Sequence, residues 1–355
     1  MNIINNYLKK INNINKVSEN YKNFIFLIKK QFLYHYKNCK RYKNFLRNQN
    51  INIYKINKNY DFPFIHVNSF KDQDLLSINK NKIFKTLFSS GTSNQKLSKI
   101  HLDKINAKNQ IIALKKIVCS ILGNSRLPML IFEKDPKILE KRKFGAKIAA
   151  IYGFSIFGKS HTYCIDKNNN LNYSLLNNFL KKFANQSFLI FGFTSSIYLN
   201  LIKNFKKNKI NQDFSKGILI HGGGWKKLEY EKIDNLKFKK KLKKNVNLKR
   251  IINYYGVVEQ TGSIFLECEK CNVFHTNPFN DVIVRDKFLN KSKENEKGIL
   301  QLLSILPSSY PGNSILFEDE GMILSFKNKN CNNTGKSFQV LGRIPRAEVR
   351  GCSDA

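Results

Sequence analysis

The sequence lacks most of the signals that would place a protein in a membrane or an oxidising compartment. The N-terminal run Met1-Asn2-Ile3-Ile4-Asn5-Asn6-Tyr7 has no charged start, apolar centre or small-residue cleavage site, so no signal peptide is expected. The longest apolar run, Phe188 to Ile202, is interrupted by Thr194, Ser195, Ser196 and Asn200, and it is too short and too polar to span a bilayer. Cysteine is scarce. The seven present are an odd number, scattered without the spacing of a disulfide framework, which fits a reducing cytosol. There is no internal repeat and no low-complexity linker. The expectation is a soluble cytoplasmic protein with no integral membrane part.

Acidic residues are also few, 25 Asp and Glu against 62 Lys and Arg, for a formal net charge of +37. Such a charge attracts polyanions at long range but does not specify fold or function. The excess is mostly Lys, spread along the whole chain among abundant Asn and Ile, a pattern that coding bias in a genome rich in A and T would produce. The densest run, Lys237-Phe238-Lys239-Lys240-Lys241-Leu242-Lys243-Lys244, reads as a solvated helix face. No specific nucleic-acid partner is expected.

Against these absences, 355 residues at 42% hydrophobic content suffice for one large core or two moderate ones. Phe24, Phe26, Leu27, Phe32, Leu33 and Tyr36 recur at near-helical spacing, and residues 1–83 read as a helical N-terminal region. From Phe84 the texture changes to short apolar runs alternating with amphipathic segments, the pattern of βαβ units. Strands are expected at Pro128–Phe132, Phe188–Phe191, Gly217–Ile220 and Arg250–Tyr254, and a helix at Ile105–Leu122. After Val282 the apolar runs are all strand-like, with a charged loop at Lys287–Lys297. The fold class is α/β, with a core over residues 84–341, β-rich towards its C-terminal end, and a tail over 342–355.

Three motifs carry chemistry. Ser89-Ser90-Gly91-Thr92-Ser93-Asn94-Gln95-Lys96 follows a strand-like run and precedes a helix. Hydroxyls and backbone N–H groups in such a loop can wrap phosphate oxygens, with Lys96 or Lys99 neutralising charge. It is not a G-x-x-x-x-G-K-[ST] loop, so that class of nucleotide hydrolase is not supported. His221-Gly222-Gly223-Gly224-Trp225 places three glycines after a strand, where a flat group such as adenine or an acyl chain can approach the backbone. Tyr255-Gly256-Val257-Val258-Glu259-Gln260-Thr261-Gly262 sets an acid after another strand, where it can offer oxygen to Mg²⁺. Near the C-terminus Cys352 lies between Gly351 and Ser353, with Arg343, Arg346 and Arg350 behind it in a positive field that favours thiolate.

Taken in this order, with Leu306-Pro307-Ser308-Ser309-Tyr310-Pro311-Gly312 and the Arg350-Gly351-Cys352-Ser353-Asp354 tail, the motifs resemble the adenylate-forming acyl, aryl and aminoacyl ligases. Within them, the chain from about Phe84 onward is most similar to the acyl-protein synthetases, the fatty-acid-activating component of the bacterial luminescence reductase complex. The resemblance implies that ATP and Mg²⁺ convert a long-chain fatty acid into acyl-AMP. A Cys then takes the acyl group as a thioester and delivers it to a partner acyl reductase. It implies a phosphate loop at Ser89, Ser90, Gly91, Thr92 and Ser93, and an adenine turn at Gly222 and Gly223 with nucleotide contacts at Tyr255 and Gly256. It further implies an Mg²⁺ ligand at Glu259, a ribose-binding Asp319, a hinge-side Arg343 and an acyl-accepting Cys352. A homo-oligomer is compatible with it. Two features depart from the pattern: Asn94 replaces a loop Gly, and no position inherits the catalytic Lys of the mobile C-terminal domain, which is expected to be largely absent. Lys96, Lys99 and Lys226 are the candidate cations. The alternative is a ligase that hands the acyl group to coenzyme A or another carrier thiol; a non-enzymatic basic binding protein would leave the three motifs unexplained.

Cys268-Glu269-Lys270-Cys271 with His275 shows half a zinc site, and with no second Cys pair at ligand spacing it reads as two unrelated cysteines in a turn. His161 and His221 read as structural hydrogen-bonders.

Overall fold

In a computed structural model the described residues are 2–56, 62–89, 96–139, 145–208, 210–325 and 331–344. They form two compact units: 2–56, 62–89, 96–123, 256–325 and 331–344 belong to the first, and 124–139, 145–208 and 210–255 to the second.

The first unit opens with helices Asn2–Lys10, Val17–Asn38 and Lys40–Asn48. Helix Val17–Asn38 buries Phe24, Leu27, Ile28, Gln31, Phe32 and His35, the single stripe expected of a helix lying on a core. Phe26 falls off that stripe and is 50% exposed, with the Lys30 ammonium 4.8 Å above its ring. His35 is fully buried. Its Nε2 lies 3.0 Å from the Pro307 carbonyl, which can only accept, so Nε2 carries the proton and Nδ1 accepts from the Ser77 hydroxyl at 2.7 Å.

Strand β1 (Ile65–His66) follows, then a hairpin of β2 (Lys85–Phe88) and β3 (Lys99–Leu102) in which Phe88 pairs with Lys99. The sequence reading passed directly from a strand-like run to a helix; β3 escaped it because Lys99-Ile100-His101-Leu102 is short and half polar. Helix Lys104–Leu122 begins where the Asp103 carboxylate accepts the Asn106 N–H at 2.7 Å, and it stops at Gly123, whose φ of +77° suits glycine.

The second unit carries β4 (Leu127–Lys134), β5 (Gly158–Ile165), β6 (Phe188–Phe193), β7 (Gly217–Gly222) and β8 (Arg250–Tyr255). All pair in parallel, in the order β8-β7-β6-β4-β5. Every residue of β6 and β7 is buried, which is why these strands read as unbroken apolar runs. Helices Tyr173–Phe183 and Asn235–Val246 contribute Leu176, Phe179, Phe238 and Leu242 to the same core as Phe188 and Leu219. On helix Asn235–Val246 the residues Lys237, Lys240, Lys241, Lys243 and Lys244 are exposed, so the lysine run is a solvated face.

Back in the first unit, β9 (Phe265–Glu267), β10 (Phe274–His275), β11 (Asn280–Arg285), β12 (Gly298–Ser304), β13 (Ser314–Leu324) and β14 (Ser337–Arg343) make an antiparallel sheet ordered β11-β12-β13-β14-β10-β9, with β1 joined to β13. The α/β class, the helical start and the β-rich C-terminal part are therefore present as expected. No helix among the described residues is long and apolar enough to cross a membrane.

Candidate functional site

The glycine turn is built at the end of β7. A Cβ on Gly222 would lie 2.5 Å from the Tyr254 ring and 2.6 Å from the Tyr254 carbonyl oxygen, on the strand that pairs with it. Gly223 has φ +78°, and Gly224 has nothing within 4 Å of a Cβ position. Each glycine thus answers a different demand: close strand packing, left-handed backbone, and open space. The Thr194 hydroxyl donates to the Gly222 carbonyl at 3.1 Å and accepts from Nδ1 of His221 at 3.0 Å. Burial, with the Lys239 charge, pushes the His221 pKa down to about 3, so its ring is neutral. Trp225 closes the turn, edge-on to Tyr198 at 4.9 Å and to Phe238 at 6.0 Å. His221 is the structural hydrogen-bonder expected, and so is His161, whose Nε2 meets the Ser155 carbonyl at 2.9 Å.

In the first unit, Glu259 sits on a short 3₁₀ turn, Val258–Gln260, and is 3% exposed. The loop Leu306–Gly312 holds this turn. Tyr310, itself fully buried, donates its hydroxyl to the Glu259 carbonyl at 2.7 Å, and Gln260 Nε2 donates to the Gly312 carbonyl at 2.8 Å and that of Leu302 at 3.0 Å. Burial and the Glu259 charge keep the Tyr310 phenol protonated. The loop is pinned in turn by buried Asn106, whose Oδ1 accepts from the amides of Ser308 and Ser309 while its Nδ2 donates to Leu306. Gly262 closes the motif at φ +82°, where a Cβ would strike the Gln110 backbone at 2.6 Å. Nothing in the sequence pattern pointed to Asn106 or to the buttressing role of Tyr310, because their partners are remote in the chain.

Asp319 and Arg343 face each other across β13 and β14, with Arg343 Nε 3.8 Å from Asp319 Oδ1 and Nη1 3.8 Å from Glu318 Oε2. Of the residues expected to form a phosphate loop, Ser89 stands at the neck of the β2–β3 hairpin. It is buried; its Oγ accepts the Ser98 amide at 2.8 Å and its own amide donates to the Ser98 carbonyl at 3.1 Å.

A model of the family described as acyl-protein synthetase, LuxE, matches residues 13–355, from the first turn of the chain through every motif above. The chain belongs to the acyl-protein synthetase family. No curated protein sequence matches it. Among solved structures, an open conformation of 2-hydroxyisobutyryl-CoA ligase in complex with 2-HIB-AMP and CoA is similar with a TM-score of 0.72 at 11% identity, covering 92% of this chain and 70% of that one. The same ligase in its thioesterification state gives a TM-score of 0.70 at 12% identity, covering 93% and 70%. The fold is that of an adenylate-forming ligase.

The motifs expected of an acyl-protein synthetase divide between the units. Gly222, Gly223 and Tyr255, the last residue of β8, belong to the second, and Ser89, Gly256, Glu259, Asp319 and Arg343 to the first. Ser90, Gly91, Thr92, Ser93 and Cys352 lie outside the described residues. Of the candidate cations, Lys96 makes an exposed ion pair with Asp72 at 3.1 Å, Lys99 is an exposed residue of β3, and Lys226 begins the short helix that follows Trp225.

Proposed function

We propose that this acyl-protein synthetase activates a long-chain fatty acid with ATP and stores it on its own Cys352 for a partner acyl reductase. The observation that carries the reading is the family match across residues 13–355, which takes in the three nucleotide motifs and the Cys352 tail together. A fatty carboxylate oxygen attacks the α-phosphorus of ATP; the bond to the β-phosphate breaks and pyrophosphate leaves. The Cys352 thiolate then attacks the acyl carbonyl carbon, the bond to the phosphate oxygen breaks, and AMP departs. The thiol proton is lost to solvent before that attack, and the positive charge of Arg350, two residues away in the sequence, favours the thiolate.

In this proposal the Ser89–Ser93 loop donates hydroxyl and amide hydrogens to phosphate oxygens, with Ser89 also fixing the loop's neck through Ser98. Gly222 and Gly223 present bare backbone to the adenine, beside Tyr255 and Gly256, and Asp319 accepts from the ribose hydroxyls with Arg343 alongside. Glu259 is the Mg²⁺ ligand. A single carboxylate, on a turn whose backbone is held by the Tyr310 and Gln260 contacts, suits an ion that completes its shell with water and phosphate oxygens. Bound Mg²⁺ supplies charge neutralisation on the phosphates.

Exchange of labelled pyrophosphate into ATP, dependent on added fatty acid, tests the first step. Exchange that ignores fatty acid, or none at all with any chain length, refutes the reading. A second reading, transfer to free coenzyme A, draws support from the CoA held by the 2-hydroxyisobutyryl-CoA ligase structure. Acyl-CoA appearing when coenzyme A is added would favour it.

A further inference from the structure

The cysteine pair that reads as half a site in the sequence is completed by a residue 60 positions further on (331 − 271). Cys268, Cys271, His275 and Cys331 bring their Sγ and imidazole nitrogen atoms within 4.8 Å of one another. Cys268 and Cys331 sulfurs are 3.5 Å apart, Cys271 Sγ is 3.1 Å from His275 Nε2, and Cys331 Sγ is 3.5 Å from the same nitrogen. Around a tetrahedral Zn²⁺ the edges are about 3.8 Å between two sulfurs and about 3.6 Å between sulfur and nitrogen, from metal–ligand bonds of about 2.3 and 2.1 Å. The two turn cysteines therefore share one cluster with His275 and Cys331.

We propose that this chain holds a structural Zn²⁺ on Cys268, Cys271, His275 and Cys331. The surroundings are those of a thiolate site. Backbone N–H groups of Lys270 and Cys271 donate to the Cys268 sulfur, that of Val273 to Cys271 and that of Asn333 to Cys331. The chain turns tightly between the first two ligands and the third, with Asn272 at φ +57° and its amide on the Cys268 carbonyl at 2.8 Å. Nδ1 of His275 lies 3.4 Å from the Ser337 hydroxyl, a partner that leaves Nε2 for the metal. Four protein ligands close the coordination sphere, so the ion has no open position for substrate and acts as a staple.

What the staple joins is informative. Cys268 and Cys271 lie in the β9–β10 hairpin, His275 ends β10, and Cys331 stands on the segment that enters β14. That segment is otherwise held by Thr334, whose amide and hydroxyl both donate to the Asn15 carbonyl at 2.9 and 3.1 Å, and by the Thr276–Lys336 backbone bond at 3.1 Å. The metal therefore fixes the entry of the strand that carries Arg343. Cys39 and Cys164 are buried elsewhere and serve as controls.

The test is elemental analysis of the full chain purified without chelator or metal-affinity resin. One zinc per chain is expected, lost in Cys331→Ser and Cys268→Ser and kept in Cys164→Ser. Zinc retained by both site variants, iron in its place, or a metal-free chain whose mass shows a Cys268–Cys331 disulfide would each overturn the proposal. Should the serine variants not fold, full-length protein produced with Co²⁺ answers independently. It should show tetrahedral bands and sulfur-to-cobalt charge transfer of three thiolates, and His275→Cys should keep the metal and shift both towards a four-thiolate spectrum. A cobalt form without thiolate charge transfer, or one that His275→Cys leaves unmoved, refutes the ligand set.

Discussion

Replacing Gly222 and Gly224 separately by alanine distinguishes the packing role of the glycine turn from a ligand-binding one. At Gly222 the new methyl would lie 2.5 Å from the Tyr254 ring and 2.6 Å from its carbonyl oxygen. Tyr254 belongs to the strand paired with Gly222, so its backbone cannot retreat without breaking the β7–β8 ladder. Overpacking of this kind costs about 1–3 kcal/mol, and the backbone contact puts Gly222→Ala at the upper end. Melting should fall by several degrees, and activity with it. At Gly224 a Cβ meets nothing within 4 Å, and its φ is not positive, so the fold should change by less than about 0.5 kcal/mol. If adenine lies flat on this turn, that same methyl blocks its approach. A lost contact of about 1–3 kcal/mol corresponds to a roughly 5- to 150-fold rise in the KM for ATP. Thermal melts and fatty-acid-dependent pyrophosphate exchange on the two variants read both effects. An unchanged KM in a normally stable Gly224→Ala protein would refute adenine at the turn, and a Gly222→Ala protein as stable as wild type would refute the packing argument.

Three further outcomes are expected. Glu259→Gln should abolish Mg²⁺-dependent acyl-AMP formation with the circular dichroism spectrum unchanged; adenylation at the wild-type rate would move the metal ligand elsewhere. Ser90→Ala with Thr92→Ala should cut pyrophosphate release severely, since hydrogen bonds to charged oxygens are worth about 1.5–3 kcal/mol each, and near-normal release would remove the phosphate-loop assignment. Burial, partly offset by the bond to Pro307, lowers the His35 pKa to about 3, so between that value and about 6.5 the unfolded chain binds the extra proton and stability drops as pH falls. From pH 7 to pH 5 this histidine should cost about 2 kcal/mol, a dependence that urea titrations of His35→Gln should lack; an identical pH slope in the variant would contradict the buried neutral ring.

The parallel strands were legible because burial on both faces demands unbroken apolar runs, as Phe188–Phe193 and Gly217–Gly222 display. The glycine turn was legible for a similar reason: Gly223 and Gly262 adopt positive φ that other residues resist, so the need is written in the residue type. What escaped depends on partners distant in the chain. Cys331 has no pattern of its own, and only the pairing of β10 with β14 brings its segment beside Cys268. Phe26 has the right spacing by eye, yet a step of one residue on a helix turns it 100° away from Leu27 and into solvent. The Leu306–Gly312 loop was recognisable as a motif, while its work of holding the Glu259 turn through Tyr310 and Gln260 became visible only from the fold.

The central claim is that ATP-driven acyl transfer ends on Cys352, and covalent labelling tests it most directly. Incubated with ATP, Mg²⁺ and radiolabelled fatty acid, the wild-type protein should acquire label that hydroxylamine removes, as a thioester requires. Cys352→Ser should lose that label and still catalyse fatty-acid-dependent pyrophosphate exchange, because adenylation does not need the thiol and a serine hydroxyl without a base is inert. Full hydroxylamine-sensitive labelling of the Cys352→Ser protein would contradict the account.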